Sequence, residues 1–76
     1  MEDKKLFNLV EEHMESVILQ EAPMGLSLWQ SLLTAHPADI AEFLGIIQYN
    51  DAQRLFTNFH PELRQAVFEE LSEAMQ

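Results

Sequence analysis

Residues 36–71 form three consecutive units of twelve residues, and this repeat constrains the fold more than any other feature. In each unit, three positions spaced i, i+1 and i+4 are apolar, which is the spacing of one face of a short helix. Such a helix cannot bury its apolar face alone, so successive units are predicted to stack on one another. The three apolar columns are Phe43/Leu55/Val67, Leu44/Phe56/Phe68 and Ile47/Phe59/Leu71.

The first and third units open with His-Pro, at 36–37 and 60–61. Pro is favoured at the first position of a helix, because its missing N–H would be unpaired there anyway. Both histidines are therefore expected to be helix-start residues. A transition-metal site is disfavoured, because the sequence lacks a close pair of histidines. His13, on the apolar stripe of the first helix, is expected to be half-buried.

Helix boundaries follow from the other start signals. The pattern Asn50-x-x-Gln53 resembles a capping box and predicts a second-unit helix at about 51–58. The third helix is predicted at about 61–71. Residues 72–76 resemble the opening of a truncated fourth unit, which would leave the last apolar face without a following unit.

Residues 1–35 are predicted to contain two lead-in helices. The first covers 4–20, and the second opens at a capping-box-like Ser27-x-x-Gln30 and runs through residue 35. A break at 21–25 separates them, because Pro23 restricts the preceding residue and Gly25 permits positive φ. The only tryptophan, Trp29, is expected to anchor the core, with an exposed interface anchor as the alternative. The chain is thus predicted to be one all-α domain, 1–76, of about five short helices.

Charge and composition exclude several functions. The chain has 4 basic and 13 acidic residues, a formal charge of −9, which disfavours nucleic acid and anionic lipid and favours divalent cations or a basic partner. It has no cysteine and no apolar run near the roughly 18 residues of a membrane span. With two glycines, no phosphate-binding loop and no nucleophile motif, we expect no enzyme. A cytoplasmic location is expected.

Acidic residues lie near every unit start: Asp39 and Glu42 in the first, Asp51 in the second and Glu62 in the third, with Asp39, Glu42 and Asp51 as the candidate ligands. One interpretation is that they complement helix dipoles, which favour negative charge at helix N-termini. The other is that they bind a hard cation such as Mg²⁺, which keeps much of its water and commonly uses one or two carboxylates per site. A site shared with another domain would leave no spacing motif in this chain.

The string HPADIAEFL at 36–44, followed by two further twelve-residue units and a second His-Pro, resembles the cytosolic N-terminal domain of MgtE-type magnesium transporters. The resemblance is good over 36–76 and only general over 1–35. It implies a right-handed superhelical, armadillo-like stack of short helices.

The resemblance also implies a function. The domain would lie at the cytosolic face of the inner membrane, beside a CBS domain pair and the transmembrane pore of the same transporter. Mg²⁺ would bind weakly between acidic residues of this domain and the CBS pair, with Asp39 and Glu42 at the matching positions. A departure is Ala66, where family members often carry an acidic residue. Because the family is dimeric, a homodimer formed through the full-length protein is implied.

Two alternatives stay open. The middle domain of the flagellar switch protein FliG also uses short armadillo-like helices, and its His-Pro-x-x-Ile-Ala string is matched at 36–41. In that family the string docks a partner protein and no metal is involved. The other alternative is a free-standing helical adaptor.

Overall fold

The computed structural model describes residues 3–21 and 23–74, with side chains at 4–21 and 23–71. The described residues form six α-helices and no strand, which confirms the all-α prediction, although the sequence predicts about five. The superhelical, armadillo-like arrangement stays a prediction. The helices are α1 Asp3–Glu12, α2 Met14–Ile18, α3 Met24–Leu33, α4 Pro37–Ile46, α5 Tyr49–Asn58 and α6 Pro61–Ala74.

The helices fall into two groups, an N-terminal bundle (Met1–Ala35) and a C-terminal bundle (His36–Gln76). In the N-terminal bundle, α3 packs against both α1 and α2. In the C-terminal bundle, α4 packs mainly against α6 and less extensively against α5. The boundary lies where the first twelve-residue unit begins.

The single helix predicted for 4–20 is wrong, because His13 interrupts it. His13 has φ −112° and ψ 36°, outside helical values. Its amide still bonds to the Leu9 carbonyl and its carbonyl accepts from Val17, both at 3.0 Å, so the hydrogen-bond ladder continues through the interruption. The apolar stripe also continues, from buried Val10 to buried Val17. The spacing of the apolar residues therefore gives no indication that the helix is interrupted at His13. The N-terminal bundle has three helices where two were predicted.

The chain leaves α2 through a Schellman motif centred on Gln20. The Gln20 amide donates to the Val17 carbonyl at 3.1 Å, and the Glu21 amide donates to the Ser16 carbonyl at 2.9 Å. Gln20 takes φ 55°, the left-handed conformation that this motif requires and that glycine usually supplies. Gly25, which permits positive φ and was part of the predicted break at 21–25, does not adopt positive φ and lies within α3.

Helix α3 begins earlier than predicted. Its N-cap is Pro23, with no side-chain cap hydrogen bond, and the predicted capping residue Ser27 lies one turn inside. The Ser27 amide donates to the Pro23 carbonyl at 3.1 Å, an ordinary helical hydrogen bond that places Ser27 within the helix. Trp29 is buried, which confirms the prediction of a core anchor. The buried apolar residues of this bundle are Leu6, Val10, Val17, Ile18, Leu28, Trp29 and Leu32.

In the C-terminal bundle, the His-Pro pairs begin helices as predicted. The other boundaries differ from the prediction. Helix α5 begins at Tyr49 after an extended Gln48, so Asn50 already lies within the helix and the predicted capping box does not form. Helix α6 continues through 72–74 without a new start, so the helix does not end at Leu71. Met75 and Gln76, the remainder of the predicted fourth unit, lie outside the described residues.

Candidate functional site

One acidic residue near each unit start lies in the first turn of its helix, with Asp39 and Asp51 in the same register of the repeat. Asp39, Asp51 and Glu62 occupy the first turns of α4, α5 and α6, respectively. Asp39 and Asp51 are half-buried, whereas Glu42 and Glu62 are exposed. Each first-turn carboxylate lies at the positive end of a helix dipole, which stabilises its negative charge. This placement explains the acidic residues structurally and also leaves them accessible to a hydrated cation.

Within residues 3–21 and 23–74, no group of three or more His, Cys, Asp or Glu residues is arranged to hold a metal ion. The assignment of Asp39, Glu42 and Asp51 as Mg²⁺ ligands therefore stays a prediction. The site that the resemblance implies would draw further ligands from a second domain, and Mg²⁺ commonly uses only one or two carboxylates from one protein site. The chain could supply this smaller share of the ligands.

The histidines of the two His-Pro pairs act as helix caps. Nδ1 of His36 accepts a hydrogen bond from the Ala38 amide at 3.1 Å. Nδ1 of His60 accepts one from the Leu63 amide at 3.3 Å. Each ring thus pairs an amide of the first helical turn that has no partner within its helix. The predicted architectural role is confirmed, and His13 is half-buried as expected.

The three apolar columns of the repeat do not have the same environment. All members of the first column (Phe43, Leu55 and Val67) are buried in the core. The second column runs from buried Leu44 to Phe68, which is 56% exposed. Within the last apolar face, Val67 is therefore part of the core, whereas Phe68 is largely exposed.

The second column lines an apolar groove in the C-terminal bundle. The groove has a volume of about 360 Å³. Tyr49 stands at its edge with 78% of its surface exposed, a high value for a large aromatic side chain. Sequence analysis missed this feature because it treated all three columns as stacking surface. The lining residues are Leu44, Tyr49, Ala52, Gln53, Phe56, Phe68 and Leu71.

One signal in the sequence could have revealed the groove. Along the repeat, the position of Ile40 is taken by Ala52 and then by Arg64, at intervals of twelve residues. Ile40 is fully buried, whereas Ala52 and Arg64 are half-buried. The loss of apolar character along this series indicates where the packed surface becomes an open one.

In the part of the chain that the structure describes, no helix is both long enough and apolar enough to cross a membrane. The longest of the six, α6, has 14 residues. A transmembrane helix needs about 20 apolar residues.

The chain was compared with protein-family models, with curated proteins and with solved structures, and nothing matches it. The resemblance to the transporter domain therefore rests on the string at 36–44 and on the twelve-residue units. Any assignment of function depends on these residues and on the surfaces described above.

Proposed function

We propose that the chain is a non-catalytic regulatory domain of a magnesium transporter, which senses cytosolic Mg²⁺ through carboxylates that it shares with a CBS domain pair. One observation carries the proposal: the HPADIAEFL string begins α4 and places Asp39 and Glu42 at accessible positions. The equivalent helix start in α5 presents Asp51 in the same way.

The mechanism is the one that the resemblance implies, and the charge of the chain supports it. At −9, the domain repels a second acidic surface. Mg²⁺ bound between the two surfaces offsets this repulsion and holds them together, and its loss lets them separate. Because this chain supplies only part of the ligand set, the affinity of the isolated domain should be weak, on the order of millimolar.

The test is a Mg²⁺ titration of this domain with and without the CBS pair of the same transporter, followed by sedimentation velocity. We expect Mg²⁺ to promote association, and Asp39→Asn combined with Glu42→Gln to weaken it at least about tenfold, equivalent to about 1.4 kcal/mol. A matched control is Glu11→Gln combined with Glu12→Gln, which removes the same charge from exposed positions of α1. Equal loss in both variants would indicate a general charge effect and contradict the assignment.

The apolar groove favours a second candidate, a protein-docking module of the flagellar-switch type or a free-standing adaptor. Exposed aromatic side chains such as Tyr49 and Phe68 are more typical of a protein interface than of a cation site. The two functions differ in their dependence on Mg²⁺. A docking module binds its partner equally well after Mg²⁺ is removed with a chelator, whereas the sensing domain releases it.

A further inference from the structure

We draw no further inference here: the strongest candidate, the apolar groove of the C-terminal bundle lined by Tyr49, Phe56 and Phe68, carries none, because nothing in the structure shows what covers it.

Discussion

Gly25 of α3 lies directly against the backbone carbonyl of Ser16 in α2, with no room for a side-chain atom between them. A β-carbon built on Gly25 would overlap the Ser16 carbonyl oxygen and lie 2.6 Å from the carbonyl carbon. That oxygen is already fixed, because it accepts the Glu21 amide of the Schellman motif. The two helices can therefore approach this closely only with glycine at position 25.

The first prediction concerns this contact. Gly25→Ala should lower the free energy of unfolding by about 1–3 kcal/mol, because the obstructing atoms belong to the backbone and cannot rotate away. Gly45→Ala is the matched control, since Gly45 is a helical glycine with nothing within 4 Å of an added β-carbon. It should be neutral or stabilise by about 0.5 kcal/mol. Urea unfolding followed by circular dichroism measures both, and similar values for the two variants would contradict the close approach.

The second prediction concerns the left-handed residue after α2. Gln20→Gly should stabilise the chain by about 1 kcal/mol, because an L-residue at φ 55° bears a steric cost that glycine avoids. Gln30→Gly provides the comparison. Gln30 is exposed inside α3, where glycine should cost about 1 kcal/mol. Stability changes of opposite sign in the two variants would separate a backbone effect from the loss of a glutamine side chain. Destabilisation by Gln20→Gly would contradict the left-handed conformation of Gln20.

The third prediction concerns the histidine caps. His36→Ala and His60→Ala should each cost about 1 kcal/mol, because each removes the acceptor for an amide in the first turn of its helix. Replacement by Asn, whose side-chain oxygen can accept the same bond, should recover most of the loss. Chemical unfolding of the four single variants tests this. If Asn proves as destabilising as Ala, the rings contribute by packing and not as hydrogen-bond acceptors.

The fourth prediction contrasts a core residue with a groove residue. Leu55→Ala should destabilise by about 2–5 kcal/mol, because Leu55 is fully buried and the substitution leaves a cavity. Tyr49→Ala should change stability by no more than about 0.5 kcal/mol, as its side chain is mostly exposed. Thermal unfolding distinguishes the two. A large loss from Tyr49→Ala would place that ring in the core and remove the argument for an open groove.

The helical content and much of the core could be predicted from sequence, because both follow from apolar spacing. Phe43, Leu55 and Val67 share a column and are all buried. The His-Pro helix starts were also predictable, since a proline at the first position and a capping ring act within one turn. These features depend on local chemistry that the sequence displays directly.

Other features depend on contacts between distant residues and escaped prediction. Gly25 was expected to belong to a break at 21–25, but it lies within α3 and its role is set by Ser16 on another helix. The predicted capping boxes at Ser27 and Asn50 fail because α3 and α5 begin earlier. The groove could not be predicted, because the exposure of Phe68 depends on which helices cover it. The spacing of apolar residues shows only that a helix has an apolar face.

The chain contains a single tryptophan and a single tyrosine, and their positions make them separate optical reporters. Trp29 is buried in the N-terminal bundle, so its emission follows the loss of that core. Tyr49 stands exposed at the groove of the C-terminal bundle, where its absorbance reports changes in the environment of the groove. Loss of the N-terminal core and changes at the groove can therefore be followed in the same unlabelled sample.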